Sequence, residues 1–516
     1  MRKANQTDFK YVIAVFVILK ILIHVLTSTN YELHRDAFLY IAQGDHLAWG
    51  YLSVPPLTAF LSKALQLVTG DSTWAVRLFP AIIGGLSVVF INLIVRELGG
   101  RKWAMIFASL AFLFSPAFLR SNMLFQPVSL NQFFWITGFY LLIRLINTQD
   151  PRFWIYLSVS FALGFLTKYS IVFLMAGFLI GMTLTPHRRL MLNKYFIWAV
   201  LIGFIIISPN IYWQYQNSWP VIYHMDMLRQ YHLVHVELSG FLLAQLLMNL
   251  PVTGFWLLGL IYFLFNKELK KYRILSITYL AVIIILMITR GKSYYTIGLY
   301  STLFAMGGII FEKLLNKKLI IYSNLIFMIL ISAIMVPFSL PVLSHDRMLD
   351  FCQNSIDSGM DMPMRWEDGQ VHSLPQDYAD MIGWKELGEN VIRVYESLPV
   401  EDQKFSYIYA ENYGQAGAIR YYGLKKGLPE PISFHGSFIF WSPEEIDNIK
   451  YLIYVNDEIE GIQDYFEEIE RFDGITNPYS RETGLPVYLC KYPDVEFTTL
   501  YKNRKGEELD RFMKNP

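Results

Sequence analysis

Charged residues are scarce in this chain of 516 residues. Only 17% of the residues are Asp, Glu, Lys or Arg, whereas 54% are hydrophobic and 16% are aromatic. An average soluble domain is about 25% charged. The shortage is concentrated before residue 342, where apolar runs reach the ~20 residues that a bilayer core requires. The composition therefore predicts a polytopic α-helical membrane protein.

Other features are also missing. The net charge of +1 gives no indication of a nucleic-acid partner, and the GxxxxGK[ST] motif that cradles nucleotide phosphates is absent. The two cysteines, Cys352 and Cys490, could pair outside the cytosol but are too few for a disulfide framework. No internal repeat is present. Nucleotide hydrolysis and nucleic-acid binding therefore have no support.

Eleven apolar segments are predicted to span the membrane. The first has no small-residue cleavage site after it, so we interpret it as an anchor and not as a signal peptide. The segments are roughly 11–29, 76–95, 103–119, 126–143, 153–167, 169–186, 195–211, 240–265, 274–289, 293–311 and 319–340.

The positions of the basic residues orient these segments. With a cytoplasmic N-terminus, the inner connections hold 18 Lys and Arg residues, and the outer connections before residue 342 hold 8. This bias follows the positive-inside rule. It places the loops at 30–75 and 212–239, and all residues after 341, outside the cytoplasm.

We expect two domains. Residues 1–341 form a transmembrane catalytic domain, whose outer loop 30–75 carries two surface helices near 37–49 and 57–68. Residues 342–516 alternate strand-like and helix-like stretches, which predicts an extracytoplasmic soluble α/β domain. The strands are expected at 405–410, 451–455 and 487–490, and the helices at 384–398, 411–422 and 458–469.

Asp36 is the first candidate for chemistry. It follows Arg35 in a polar segment close to the first span, where charge is costly unless it faces water or a ligand. One interpretation is a solvated carboxylate or a helix cap, and the other is a general base facing a membrane-embedded cleft. The spacing of residues alone leaves both open.

Cations on the outer side form a second candidate site. Arg290 and Lys292 precede Tyr294 and Tyr295 at an outer junction, and Lys168 lies between two apolar runs. Interfacial anchoring by Lys, Arg and Tyr explains such residues in many membrane proteins. The alternative is a binding site for a lipid phosphate.

Together these motifs resemble the bacterial GT-C glycosyltransferases of family 39, the protein O-mannosyltransferase-like group related to the lipid A aminoarabinose transferases. Arg35-Asp36 followed by Tyr40 is similar to the acidic motif of the first outer loop in that family. Further similar stretches are Trp49-Gly50-Tyr51 with Pro55-Pro56-Leu57, Gly70-Asp71-Ser72, Val76-Arg77-Leu78, Leu166-Thr167-Lys168, Gly291-Lys292 with Tyr294-Tyr295, and Tyr413–Ala418.

The resemblance implies an inverting transfer of a sugar from a polyprenyl-phosphate donor to a protein, lipid or glycan outside the cytoplasm. Asp36 would act as the catalytic or site-organising acid. The other implied substrate-binding residues are Arg35, Lys168, Arg290, Lys292, Tyr294 and Tyr295. The implied location is a bacterial inner membrane, with membrane lipid and no nucleic acid as partners.

Some positions depart from the family pattern. Ala37 replaces the glutamate that usually follows the aspartate, and Gln126 or Asn131 stands where a second aspartate is expected. No cofactor is therefore assigned, and a divalent metal has little support because it needs several oxygen or imidazole ligands. The pair His232 and His235 is a weak metal signal.

Two other functions compete with the glycosyltransferase. A transporter or lipid flippase could also have eleven spans, but it would favour ionisable residues in mid-membrane and an internal repeat. An oligosaccharide ligase would use a diphosphate-linked donor and differ in its leaving group.

Overall fold

A computed structural model of the protein describes residues 6–70, 72–231 and 238–513. The chain divides into two compact units. The helical unit comprises Met1–Ser28, Trp74–Trp213 and Asp226–Val342. The mixed unit comprises Thr29–Thr73, Gln214–Met225 and Leu343–Pro516. The segments of the mixed unit coincide closely with the three regions that the charge pattern assigns to one side of the membrane.

The α-helices of the described residues are numbered in chain order. They are α1 (Gln6–Leu26), α2 (Arg35–Asp45), α3 (Leu57–Thr69), α4 (Thr73–Glu97), α5 (Lys102–Leu113), α6 (Pro116–Ser121), α7 (Pro127–Thr148), α8 (Phe153–Thr167), α9 (Ile171–Thr183), α10 (Lys194–Gln216), α11 (Pro220–Tyr231), α12 (Leu238–Leu247), α13 (Thr253–Phe265), α14 (Arg273–Ile288), α15 (Ile297–Lys313), α16 (Lys318–Ser339), α17 (His345–Asp357), α18 (Gln376–Ala379), α19 (Trp384–Glu396), α20 (Tyr413–Gly423) and α21 (Val495–Met513).

Helices occupy all eleven predicted apolar segments, but the count of eleven crossings is not confirmed. Among the described residues, six helices are long and apolar enough to cross a bilayer. A seventh crossing results if the pair Leu238–Leu247 and Leu250–Phe265, bent by 67°, is one span. The segments at 103–119, 153–167 and 169–186 hold shorter helices. The chain is nonetheless a multi-pass membrane protein by its apolar helices.

Helix α15 lies at the centre of the helical unit. Every residue from Ile297 to Phe311 is buried, and α5, α7 and α13 pack around it. Glycines permit the close approach: a Cβ added at Gly259 would lie 2.7 Å from the backbone nitrogen of Gly307. Small residues at helix contacts are the usual means of tight packing in membranes.

The mixed unit contains a four-stranded sheet of order β1-β2-β4-β3. Its strands are β1 (Ser406–Ala410), β2 (Tyr451–Val455), β3 (Phe466–Asp473) and β4 (Pro486–Pro493). Strands β1 and β2 are parallel, and the other two pairings are antiparallel. The three predicted strands and the predicted helices at 384–398 and 411–422 are confirmed, so the C-terminal part is an α/β structure.

The predicted helix at 458–469 is wrong. Apart from a short 3-10 turn at Gln463–Tyr465, the structure has strand β3 from Phe466, paired with β4 in antiparallel register. Phe466, Ile469 and Phe472 recur every third residue, which imitates helical spacing. Hydrogen bonding to β4 stabilises the extended conformation of these residues, because β-propensity depends strongly on the neighbouring strand. The helix α21 was not predicted.

The predicted helices of the first outer loop are present as α2 and α3. Helix α2 is buried on nearly all sides, because it packs between α3 and α20 within the mixed unit. The ring of Phe38 contacts Trp384, and α20 approaches so closely that a Cβ added at Gly417 would lie 2.7 Å from Cβ of Phe38. The first outer loop and the C-terminal residues therefore share one core.

Gly417→Ala tests this close packing. We expect the free energy of unfolding to fall by about 1–3 kcal/mol, because the added methyl group overlaps Phe38 in a packed interface. Thermal unfolding of the purified protein in detergent measures the change. Gly506→Ala in α21 is the matched control, since an added Cβ there meets nothing within 4 Å. Equal destabilisation by both substitutions would contradict the close contact.

Candidate active site

Helix α2 begins at the charged pair that the sequence analysis selects. His34 precedes the helix with extended backbone angles, φ −65° and ψ 144°. Its ring Nδ1 accepts a hydrogen bond of 3.2 Å from the backbone N–H of Asp36. This bond satisfies one of the amides that a helix N-terminus leaves unpaired. Asp36 lies in the first turn, where the helix dipole favours negative charge.

The carboxylate of Asp36 contacts a tyrosine from the C-terminal part of the chain. The hydroxyl of Tyr413 donates a hydrogen bond of 2.7 Å to Oδ1 of Asp36. Tyr413 opens α20, whose N-terminus is closed by a capping box: Oδ1 of Asn412 accepts from the N–H groups of Gly414 and Gln415 at 2.9 and 3.1 Å. In return, Oε1 of Gln415 accepts a hydrogen bond of 3.4 Å from the backbone N–H of Asn412. The cap therefore holds Tyr413 in a defined position.

Arg35 lies in the same cluster, and its side chain is 10% exposed. Its Nη2 donates to Oδ1 of Asn412 at 3.3 Å, and its Cζ lies 4.9 Å from the ring centroid of Tyr413. Its Nη1 lies 3.8 Å from Oδ1 of Asp380 and 3.9 Å from Oε1 of Glu482. Burial lowers the pKa of Arg35, but these anionic neighbours outweigh it and raise the pKa above its usual range.

Asp380 is the most deeply buried acid of the cluster. Its side chain is 3% exposed and lies 3.3 Å from Nη1 of Arg481. Burial raises the pKa of Asp380, while the positive charges of His34, Arg35 and Arg481 lower it in part. The carboxylate is therefore compensated by the guanidinium groups of Arg35 and Arg481, and also by His34 when its imidazole is protonated, as a buried charge requires.

Sequence reasoning missed Asp380 and Glu482. Both lie in connecting segments without a recognisable motif, hundreds of residues from Asp36. Tyr413 belongs to a stretch that resembles the family, but the resemblance did not indicate a function for its hydroxyl. Only the folding of α2 against α20 brings these groups to the N-terminus of α2.

Lys168 is held in the helical unit at the end of α8. Its Nζ lies 5.1 Å from the ring centroid of Tyr294 and 5.4 Å from that of Tyr295. Asn131, which with Gln126 is one of two residues that could replace the second aspartate of the family pattern, donates from Nδ2 to the carbonyl oxygen of Lys168 at 3.3 Å. Its Oδ1 accepts from the hydroxyl of Ser170 at 3.2 Å. These two hydrogen bonds of Asn131 stabilise the turn that contains Lys168.

Arg290 and Lys292 lie on the loop before the two tyrosines. Arg290 is exposed and adopts a left-handed conformation with φ 52°. Lys292 precedes the 3-10 helix Ser293–Thr296. Gln245 fixes this helix, because its Nε2 donates to the carbonyl of Ser293 at 3.4 Å and its Oε1 accepts from the hydroxyl of Thr296 at 2.6 Å.

The predicted site residues thus fall into two groups. Arg35 and Asp36 belong to the mixed unit, and Lys168, Arg290, Lys292, Tyr294 and Tyr295 belong to the helical unit. Direct ring contacts join Lys168 to both tyrosines.

The donor set around Asp36 does not fit a metal centre. Asp380 and Glu482 are turned toward Arg35, and Asp380 is also turned toward Arg481. Within the ranges that the structure describes, no group of three or more His, Cys, Asp or Glu side chains could hold a metal ion. His232 and His235 lie outside the described residues. No step of the chemistry is routed through a metal.

The cysteines of the mixed unit are not bonded to each other. Cys352 and Cys490 are both free and buried. Burial raises the pKa of each thiol to about 12. Both therefore stay protonated and inert at neutral pH.

Comparison with known proteins identifies relatives of this chain. Residues 53–213 match the family described as dolichyl-phosphate-mannose-protein mannosyltransferase. The lipid A galacturonosyltransferase RgtD of Rhizobium johnstonii is 22% identical over 259 residues, which cover 49% of this chain and 54% of RgtD. The match thus spans about half the length of that curated relative.

Solved structures share the fold. The crystal structure of ArnT from Cupriavidus metallidurans bound to undecaprenyl phosphate has a TM-score of 0.61 at 12% identity, covering 92% of this chain and 97% of ArnT. The apo structure of ArnT has a TM-score of 0.59 at 13% identity, with the same coverage.

These findings support a relationship to the GT-C-type glycosyltransferases and the lipid A-modifying transferases. The resemblance inferred from the sequence motifs is thereby confirmed. The fold is the ArnT-like GT-C fold, with several apolar helices and a small C-terminal sheet.

His34 provides a test of the electrostatics around Asp36. Burial lowers its pKa, but the bond to Asp377 and the charges of Asp36 and Asp380 prevail and raise the pKa above the ordinary 6.5. A histidine whose folded-state pKa is raised stabilises the fold fully below the unfolded-state pKa, and the contribution is lost as pH rises through the folded-state pKa. The Tm difference between wild type and His34→Gln should therefore be largest at about pH 5.5 and smaller at about pH 9.

Asp377→Asn is the companion variant. It removes the partner that raises the pKa of His34, so it should reduce the same pH-dependent part of the stability. Thermal unfolding at several pH values measures both. A Tm difference for His34→Gln that stays constant with pH would contradict the charged state of this histidine.

Proposed function

We propose that the protein transfers a sugar from a polyprenyl-phosphate donor to an acceptor on the extracytoplasmic face of a bacterial inner membrane. The observation that carries the proposal is a carboxylate, Asp36, held at a helix N-terminus by the hydroxyl of Tyr413. Two relatives support the substrate class: ArnT was solved with undecaprenyl phosphate, and RgtD is a lipid A galacturonosyltransferase.

Asp36 is the general base or site-organising acid in this reaction. The acceptor hydroxyl gives its proton to the carboxylate while its oxygen forms a bond to the anomeric carbon of the sugar. The bond from that carbon to the phosphate oxygen breaks, and the carrier phosphate leaves with the electron pair. Attack opposite the leaving phosphate inverts the anomeric configuration.

Lys168, Arg290 and Lys292 are the candidate ligands of the leaving phosphate. Preorganised cations stabilise the charge that develops on a departing anion. The faces of Tyr294 and Tyr295 hold the ammonium group of Lys168, and an ammonium group has three N–H donors for phosphate oxygens. Arg35 is engaged by Asp380, Glu482 and Asn412, and we assign it to holding the site together.

The proposed side of the membrane follows from charge and packing. The inner connections carry more than twice as many cations as the outer ones. The compact unit that contains Asp36 is made of Thr29–Thr73, Gln214–Met225 and Leu343–Pro516, which fall almost wholly within the segments assigned to the outside. The N-terminus is accordingly cytoplasmic and the C-terminal residues are extracytoplasmic.

Asp36→Asn is expected to abolish sugar transfer, with a loss on the order of 100-fold or more, because an amide cannot take the acceptor proton. The assay uses undecaprenyl-phosphate-linked radiolabelled sugars of several classes with lipid A, protein and glycan acceptors. Undecaprenyl-diphosphate-linked sugars in parallel separate this reaction from that of an oligosaccharide ligase. Asp346→Asn is the matched control, since its carboxylate is 99% exposed. Wild-type turnover by Asp36→Asn would refute the mechanism.

Lys168→Ala is expected to weaken binding of undecaprenyl phosphate about 10–100-fold, because the loss of a hydrogen bond to a charged group usually reduces affinity by that factor. Native mass spectrometry of the purified protein with added undecaprenyl phosphate measures it. Lys271→Ala is the matched control, because Lys271 also lies over a tyrosine ring, 5.4 Å from that of Tyr272, on the predicted inner side. Equal loss in both variants would show that the effect is not specific to this site.

A further inference from the structure

The candidate base is held in place mainly by residues from the C-terminal part of the chain. The backbone N–H of Arg35 donates to the carbonyl of Asp380 at 3.0 Å, which fixes the start of α2. At the other end of the helix, Asp45 pairs with Nη1 of Arg420 at 2.8 Å. The side chain of Gln43 donates to the hydroxyl of Ser437 at 3.3 Å. Helix α2 is therefore attached to the C-terminal residues at both ends.

We propose that Tyr413 is a positioning residue that orients the carboxylate of Asp36 for proton transfer. The inference rests on the proposed function and names a further member of the same site. The hydroxyl at 2.7 Å from Oδ1 directs the plane of the carboxylate.

The ring of Tyr413 is itself fixed from two sides. Cζ of Arg35 lies 4.9 Å from the centroid of the Tyr413 ring. The centroid of the His435 ring lies 5.2 Å from the same point. The added Cβ of a larger residue at Gly414 would lie 3.2 Å from Nε of Arg35, so the helix start leaves little room for the ring to shift. The hydroxyl is thus presented to Asp36 by a rigid arrangement.

The neighbouring charges keep this hydroxyl protonated. Burial raises the pKa of Tyr413 well above its usual range, and the negative charge of Asp36 adds to the effect. Burial and the charge of Arg35 lower the pKa of His435 to about 4, so its imidazole is neutral at pH 7. The other charged groups facing the cluster are His34, Asp380 and Glu482, which pair with one another or with Arg35. Tyr413 therefore donates to Asp36 and keeps its own proton throughout the reaction.

Tyr413→Phe tests the role, because it removes the hydroxyl and keeps the ring. We expect kcat/KM to fall about 10–100-fold for the radiolabelled undecaprenyl-phosphate sugar that the wild type uses fastest. The loss should fall on kcat, with KM for the sugar donor unchanged, because the substitution alters the orientation of the base and leaves the donor-binding residues in place. Binding of undecaprenyl phosphate should be unchanged. Tyr407→Phe is the matched control, because its hydroxyl bonds to the backbone of Asp447 elsewhere in the mixed unit.

A merely structural tyrosine would give a different result. Tyr413→Phe would then lower the unfolding temperature and leave kcat and KM of the folded protein unchanged, and that result would overturn the inference.

Asp36→Asn, measured beside these variants, separates two failures. If Asp36→Asn is inactive but Tyr413→Phe keeps the wild-type kcat and KM, the inference is wrong and the proposed function stands. If Asp36→Asn retains activity, the proposed function and the inference fail together.

Discussion

The buried charge of Arg35 is the constraint on which the arrangement of the mixed unit depends. Its guanidinium is withdrawn from water, and the neighbouring carboxylate of Asp36 is only one of the anionic groups that compensate it there. The other compensating carboxylates, Asp380 and Glu482, come from segments that follow the last apolar helix of the chain. Removing one partner from such a buried pair costs about 3–5 kcal/mol. The first outer loop and the C-terminal residues are therefore bound together as one folding unit.

This constraint has a consequence for catalysis. Asp36 follows Arg35 in the first turn of α2, so any group that fixes the arginine also fixes the carboxylate. The proposed base is then oriented before a substrate arrives, as electrostatic preorganisation requires. The C-terminal residues, which resemble a separate soluble domain in the sequence, supply the groups that hold the carboxylate of Asp36.

Much of the fold was predictable from local patterns. Apolar runs of membrane length located the helices of the predicted spans, and short β-branched and aromatic runs located three of the four strands, because these signals depend on neighbouring residues alone. Strand β3 was not predictable: Phe466, Ile469 and Phe472 have helical spacing, and the partner strand β4 decides their conformation. The number of membrane crossings likewise depends on where helices break, as between α12 and α13, and not on apolar length.

The sequence by itself predicted a multi-pass membrane protein that resembles the GT-C glycosyltransferases, with Asp36 as its candidate acid and Lys168 among the cations predicted to lie on the outer side. It did so because hydrophobicity, charge bias and short motifs are properties of adjacent residues. Only the tertiary structure decided which groups surround those residues. Tyr413, Asp380 and Glu482 reach the N-terminus of α2 across more than 340 positions. Contacts over such distances arise from packing and charge compensation, which no local pattern encodes.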